Sequence, residues 1–555
     1  MQKFFFILSF TLLFFKTGFT QVEMAEITNP VYDYLKRMQL MKIVPEYNSA
    51  DIPLPRNTIA GYLTLIRQKS ISLTSTDKKI LTDLETEFEY ELTGSIKNNP
   101  GLFAKNGFRN IFDNNKITHL YSYEDSGRTF FADLTGYLSQ RGSSGDSLGG
   151  RSLLIANLGL KARGTFFDNV GYYFKISNGQ VASGNDSDII FGSATDIILQ
   201  TDKDLVTKRN FNYFEGYVRY QTKANWLALT FGRTPLNFGF GYIDKLFLSN
   251  NTIPFDFGKL DIRYKALQYT FAYGSLNGDS IFKPLSSKNI ATHNININFS
   301  ESFKLGLWES VIISEQPFSF TYLNPLSFLT SADLSIGKEQ TTENNSLIGI
   351  DMEVIPFRNF SFQTSLLIDD LTFGTLGKDD SLNENKFGWQ FGALWTNSFN
   401  MSFALEFTHL DPFVYSHRSN KSTYTNHSLS LGHALPPNSD EIAAKINFDL
   451  TNRLKFSLLF QHQRSGEGVV IDSTGKLIAN YGGNINFGLG DAYLRTNNFL
   501  DGTRVNRDIL TLNLYWQPIR KLYIEGKYQY RIQKIVSDNV SFKDSFYFAN
   551  LKIDL

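Results

Sequence analysis

One pentapeptide in this chain matches a hydrolase pattern. Gly145-Asp146-Ser147-Leu148-Gly149 fits both G-x-S-x-G and G-D-S-L, motifs in which a serine hydroxyl attacks an acyl carbon. That chemistry needs a buried strand before the serine, a helix after it and a histidine to take the proton. Here the residues on either side, Gln140 to Ser144 and Gly150-Arg151, are rich in Gly and Ser, and no histidine follows His462. The context therefore predicts a loop between strands and not a nucleophile elbow. The histidines, at positions 119, 293, 409, 417, 427, 433 and 462, show no i, i+4 zinc spacing. Asp369-Asp370 and Asp379-Asp380 read as loop ends, and no phosphate-binding glycine motif follows a strand. No catalytic residue, metal or cofactor is expected.

Two other stretches carry more weight. The first runs Phe231-Gly232-Arg233-Thr234-Pro235-Leu236-Asn237-Phe238-Gly239-Phe240-Gly241-Tyr242, then through Leu248-Ser249-Asn250 to Pro254-Phe255-Asp256. The second is Leu305-Gly306-Leu307-Trp308-Glu309-Ser310, followed by Tyr322-Leu323-Asn324-Pro325. Arg233 shares the parity of Leu227, Leu229 and Phe231, and Glu309 that of Leu305 and Leu307. On a strand that faces lipid, Arg at mid-membrane costs ~2–4 kcal/mol. Either a bulge turns these side chains inward, as bulges near functional sites do, or they sit at a rim. A polar network that holds loops in the lumen and a ligand-binding role are equally open for them.

The elements that would position these residues change in kind along the chain. Met1 to Thr20 has a basic start, an apolar run from Phe4 to Phe15 and small residues before Gln21, which predicts a cleaved secretory signal over 1–20. Residues 21–110 read as a helical periplasmic segment. Asn29-Pro30 opens a helix with Val31, Leu35 and Met38 on one face, and Thr74 with Asp77 forms a capping box. The remainder, 111–555, reads with a period of two. Leu522, Ile524, Gly526, Tyr528, Tyr530 and Ile532 alternate with polar residues, and Leu510 to Trp516 is their hairpin partner across Gln517-Pro518-Ile519-Arg520. Alternating strands also flank the short turns Thr451-Asn452-Arg453, one containing Pro356, and Asn397-Ser398-Phe399-Asn400. At the opposite pole the links are long and polar: 179–210, 329–345, 411–440 and 465–507. This asymmetry, with strands of about 9–12 residues, predicts an all-β transmembrane barrel of about eighteen antiparallel strands in a bacterial outer membrane.

Composition agrees. Aromatic residues are 15% of the chain, with 50 Phe and 27 Tyr, yet mean hydropathy is negative. So much aromatic surface without an apolar run long enough for a helical span points to strands with one greasy and one polar face. Cysteine is absent, which excludes a lipid-bearing Cys after the signal, disulfides and thiolate metal sites. Lys+Arg and Asp+Glu are both 54, giving no electrostatic case for nucleic acid.

On Gly232-Arg233, the Gly239 and Gly241 pair, Leu248-Ser249-Asn250, Pro254-Phe255-Asp256, Trp308-Glu309-Ser310 and Tyr322-Leu323-Asn324-Pro325, the chain resembles the capsule-assembly Wzi-like outer-membrane proteins, in the form common in Bacteroidetes. In better-known members a tryptophan precedes the paired glycines; this chain has Asn237-Phe238 there. The resemblance implies an eighteen-stranded barrel with a helical periplasmic part that binds capsular or exopolysaccharide and helps assemble or retain it at the cell surface, without catalysis. The residues expected in a polysaccharide-binding or lumen network are Arg233, Asn237, Phe238, Tyr242, Ser249, Asn250, Glu309 and Asn324, with Tyr424, Asn426, Tyr481, Asn484 and Tyr493 from long polar loops. Amides suit sugar hydroxyls and aromatic rings suit sugar faces. Outer-membrane lipid is the other expected partner. For the helical segment, peptidoglycan, a capsule export partner and the barrel's own periplasmic mouth stand as candidates, and its residues select none. The runner-up function is a porin or solute channel with a helical appendage; an acyl hydrolase would rest on Ser147 alone.

Overall fold

The computed structural model describes residues 21–555 apart from 126, 202–203, 278–286, 317–319, 332–343, 371–384, 418, 472, 474–476, 489–493 and 496–497. The leader 1–20, Asp379-Asp380 and Tyr493 thus lie outside the described residues. No helix among those residues is long and apolar enough to cross a membrane.

Alternation of apolar and polar side chains produces 18 antiparallel strands that close into one barrel. In chain order these are β1 Arg128–Gly145, β2 Arg151–Phe166, β3 Val170–Ser183, β4 Asn210–Gln221, β5 Leu227–Arg233, β6 Asp256–Tyr264, β7 Leu267–Ser275, β8 Lys288–Asn298 and β9 Phe303–Ser314. The second half comprises β10 Asn345–Phe357, β11 Phe360–Asp370, β12 Lys386–Thr396, β13 Met401–Leu410, β14 Ser439–Asp449, β15 Leu454–Glu467, β16 Thr503–Ile519, β17 Leu522–Ile535 and β18 Val540–Asp554. Closure is made where Asp544–Asp554 pairs with Gly145–Thr135, which brings the last strand back onto the first as a spanning sheet requires. Outward side chains such as Leu158, Ile176, Phe231, Leu405 and Leu551 are exposed, as a lipid-facing band requires.

Strand lengths spread wider than the expected 9–12 residues, from 7 in β5 to 18 in β1. The expected turn at Gln517–Arg520 is shorter than the sequence suggests. β16 continues to Ile519 through a register shift after Trp516, which places Pro518 at the irregularity, where a missing N–H breaks no ladder bond.

The N-terminal region packs across the short-turn mouth as helices α1 Val31–Leu40, α2 Arg56–Gln68, α3 Ser75–Glu87 and α4 Glu89–Thr93. The Thr74/Asp77 capping box forms as expected. Leu35, Met38, Ile59, Leu63, Leu81, Leu84 and Phe88 make its core. Asp77 also accepts from Arg37 Nε at 2.9 Å and from Asn400 Nδ2 at 2.9 Å, tying α3 to the β12–β13 turn. Asp83 accepts from Arg520 Nη2 at 2.7 Å and Asn452 Nδ2 at 2.6 Å, clasping two further turns. Of the three candidate contacts for this segment, the barrel mouth is therefore one that it makes. Flanking strands of the chain run on inside the barrel. Met24 N donates to Tyr217 Oη at 2.7 Å, and Asp51-Ile52 pairs with Asn237-Phe238 deep in the lumen.

Candidate binding lumen

The stretch 234–255 is not an external loop. After β5 the chain turns into the barrel, crosses the lumen and returns to the wall at β6. Its paired glycines permit this course. Gly239 has φ +90°, and a Cβ on Gly241 would lie 1.8 Å from the Asp244 carbonyl oxygen. Inward carboxylates of the wall hold it. Glu406 accepts from the N–H groups of Tyr242 at 2.9 Å, Ile243 at 3.3 Å and Asp244 at 3.3 Å, and Asp351 accepts from Phe240 N at 3.2 Å. Phe247 stacks on Trp308 with centroids 4.3 Å apart.

From the long-loop side, residues 411–438 fold down onto this crossing segment. Ser249 N donates to Leu431 O at 2.7 Å, Tyr415 Oη to Leu246 O at 2.6 Å and Thr252 Oγ1 to Asn426 O at 3.0 Å. The lumen is thus filled from both ends, and cavities remain around residues 234–255 among the described residues. One of about 510 Å3 lies toward the helices and touches Asn237, Tyr242, Asp244, Lys245 and Ser249. A second, about 370 Å3, lies on the loop side and shares Asn237, Asp244 and Ser249, adding Asn250, Asn251, Glu441, Gln461 and Gln463. The third, about 400 Å3, is lined by Lys175, Tyr213, Glu215, Thr234, Asn250 and Thr252 among others. Asp244 organises the first two, accepting from Ser249 Oγ, from Asn251 Nδ2 at 2.9 Å and from Ala434 N at 2.8 Å. Burial lowers the Lys245 pKa to about 7, while its Nζ donates to Ser49 O at 3.0 Å.

The sequence-derived residues separate into groups. Asn237, Tyr242, Ser249 and Asn250 come together on these cavities. Asn237 Oδ1 is buried without a hydrogen-bond partner, an open acceptor beside polar space. Tyr242 Oη lies 3.1 Å from Glu353 Oε1, to which it can donate, and 2.7 Å from Ser361 Oγ, from which it can accept. Phe238 and Tyr424 are wholly buried in the packing that holds the crossing segment, so neither offers a ring face to a sugar. Asn426 is a clamp, donating to Ile253 O at 3.0 Å and accepting from Asn277 N at 2.8 Å. Tyr481 and Asn484 lie on the long-loop side; Asn484 is exposed and its carbonyl accepts from Phe487 N at 3.1 Å. Asn324 is exposed and caps its own turn by accepting from Leu326 N at 3.1 Å. Asp244, Gln461, Gln463 and Glu441 were missed. The parity of β15 could have shown Gln461 and Gln463 sharing a face, whereas Asp244 gives no signal in sequence.

Neither Arg233 nor Glu309 turns inward, and Arg233 stands at the end of β5, where the wall stops. Arg233 keeps the outward parity of Phe231 and forms a two-point pair with Asp256, Nε to Oδ1 at 2.9 Å and Nη2 to Oδ2 at 2.8 Å. Glu309 also stays outward but is buried, because the segment after β9 folds back over the outer wall. Its carboxylate accepts from Leu329 N at 2.8 Å and lies 3.6 Å from His293. Tyr322 and Leu329 pack there on Ala291, Val311 and Ile313, while Phe320, Leu326 and Phe328 are exposed. Glu309→Ala should free this flap, since a buried acceptor that holds backbone N–H groups is worth about 1.5–3 kcal/mol. Limited proteolysis between 320 and 331 should then become several-fold faster with the barrel intact; an unchanged rate would contradict the role.

Ser147 lies in the β1–β2 turn. Its Oγ donates to Asp544 Oδ2 at 2.6 Å, and Ser147 N and Leu148 N donate to Asp544 Oδ1 at 3.0 and 3.3 Å. The serine caps a turn, and Ser147→Ala should cost about 1 kcal/mol of stability while leaving polysaccharide binding unchanged. Esterase activity lost in that variant would contradict this. Among the described residues no His, Asp and Glu cluster could hold a metal.

Closed barrel, outward apolar band and filled lumen together define an outer-membrane β-barrel protein. The capsule assembly protein Wzi family matches residues 118–540, and the chain belongs to that family. Among solved structures it is similar to Wzi of Escherichia coli, described as an outer-membrane protein involved in group 1 capsule assembly and a carbohydrate-binding β-barrel. The TM-score is 0.57 at 13% identity, covering 96% of this chain and 99% of that one. OpdK of Pseudomonas aeruginosa with vanillate gives a TM-score of 0.45 at 10% identity, covering 76% and 99%. A BenF-like porin of Pseudomonas fluorescens Pf-5 gives 0.45 at 10%, covering 77% and 99%. Scores at that level bear on neither fold nor function. Among curated proteins no sequence matches.

Proposed function

We propose that this barrel binds capsular or exopolysaccharide in its lumen and helps assemble or retain it at the cell surface, without catalysis. The observation that carries the reading is the loop-side cavity, where Asn237, Ser249, Asn250, Asn251, Gln461 and Gln463 line one space with Asp244 and Glu441. Such a set supplies donors and acceptors in the mixed directions that sugar hydroxyls need. The similarity to a carbohydrate-binding barrel supports the same reading. The helices face the periplasm, at the short-turn end, and Ile71, Phe103, Phe108 and Phe112 stand exposed there. They give capsule export machinery an apolar surface to dock on. Residues 1–20 direct export, 21–110 form the periplasmic unit and 111–555 the barrel.

Polysaccharide extracted from the source bacterium should bind the purified protein. Asn237→Ala and Asn250→Ala should each weaken that binding by roughly 2–10-fold, the worth of one or two hydrogen bonds. Equal binding by both variants would remove the cavity from the account. In planar bilayers the wild-type barrel should pass no steady current; large steps would favour the porin.

A further inference from the structure

The barrel wall is cut short beside β4. β5 has 7 residues, below the roughly 9–11 a tilted strand needs, and β6, with 9, only just meets it. Pairing of β4 with β5 begins at Gln221 and ends at Gly216↔Arg233. β4 itself continues upward to Asn210, paired on its other side with β3 as far as Gln180. Along Asn210–Glu215, no strand among the described residues pairs with the edge of β4 that faces β5. The chain that would have continued the wall has turned into the lumen at Thr234.

This notch opens at the upper margin of the lipid-facing band, where the outward pair Ile176 and Phe214 gives way to Asn178 and Asn212. The outward residues beside it, Ile176 and Phe214, are paired neighbours and both exposed, and they lie beyond the last β5 residue. Phe231 is exposed just below. At the foot of the notch stands the Arg233–Asp256 pair, with the Asp256 side chain 61% exposed. A charge on a lipid-facing strand is costly unless water reaches it, and the notch gives water that path. Behind it lies the cavity of about 400 Å3, which meets Tyr213 and Glu215 on β4, and Thr234, Asn250 and Thr252 on the crossing segment. Asn250 also lines the loop-side cavity.

We propose that this notch is a lateral portal through which the sugar head of an outer-leaflet glycolipid reaches the lumen while its acyl chains stay in the bilayer. The mouth borders lipid, so a ligand arriving there must be amphiphilic. The space behind sets hydroxyl, amide and carboxylate groups beside Ile197, Ile198, Ile253 and Pro254, a mixed lining that suits a sugar with its polar edges and apolar ring face. The inference rests on the glycan reading above and adds a route and an anchor to it.

The test replaces Tyr213, on the cavity side of the notch, with benzoylphenylalanine in the full chain and illuminates intact cells. Asn250 serves as a second position if the Tyr213 variant fails to fold, and Phe214 as the lipid-facing control. Adducts at Tyr213 that carry both sugars and acyl chains by mass spectrometry are the expected result. Acyl-free saccharide at Tyr213 would overturn the lateral route while leaving glycan binding standing. Crosslinks to protein alone, with Phe214 still capturing lipid, would also overturn it.

Discussion

Glu406→Ala should convert a silent barrel into a conducting one. The carboxylate is buried and accepts three backbone N–H groups, from Tyr242, Ile243 and Asp244, and also Gln363 Nε2 at 3.1 Å. Its removal leaves three N–H groups buried without partners, at about 1–3 kcal/mol each. The strand ladder of β13 does not depend on this side chain, so the barrel should persist while the crossing segment detaches. Planar-bilayer recordings should then show stepwise currents, and polysaccharide binding should fall by at least about tenfold. Glu406→Gln, which keeps an acceptor oxygen, should lie between the two. A silent bilayer with wild-type binding would contradict the role given to the crossing segment.

Arg56→Ala should loosen the helical unit at the barrel mouth. Arg56 is buried, pairs with Glu91, lies 3.9 Å from Glu23 and has its guanidinium 4.1 Å from the Phe88 ring centroid. Burial by itself lowers its pKa; Glu91, Glu87 and Glu23 more than offset this, and the group is held charged with its pKa raised. Truncation leaves Glu91 buried without its cation, while Glu23 keeps Arg163 at 3.0 Å; breaking such a buried pair costs roughly 3–5 kcal/mol. Trypsin should then cut within 56–93 well before wild type does, with the barrel still heat-modifiable on gels. Arg56→Lys should be intermediate, because an ammonium keeps the charge without the planar fork. A helical unit as resistant as wild type would contradict the buried network.

How far the sequence could be read depended on which interactions were local. Alternation along β17 and β18 and the short turns at Asn397–Asn400 and Thr451–Arg453 follow from near-neighbour patterns, and the barrel emerges from them. The Thr74/Asp77 cap is local too. The crossing segment is not: its path is set by Glu406 and Asp351, more than a hundred positions away. Tyr424 and Asn426 sit in a polar loop and looked like ligand groups, but long-range packing turned them into core and clamp. Arg233 and Glu309 broke parity as read, yet the reason lay elsewhere, in a wall cut short at β5 and a flap laid over β8 and β9. Parity shows that an outward charge exists; it does not show what covers it.

The most direct measurement compares cell-bound with released polysaccharide after deletion of the chain, with wild type or Asn237→Ala supplied in trans. Deletion should move polysaccharide from the cell surface to the medium, wild type should restore it and Asn237→Ala should restore it in part. An unchanged partition between cells and medium in the deletion strain would contradict a role in holding glycan at the surface.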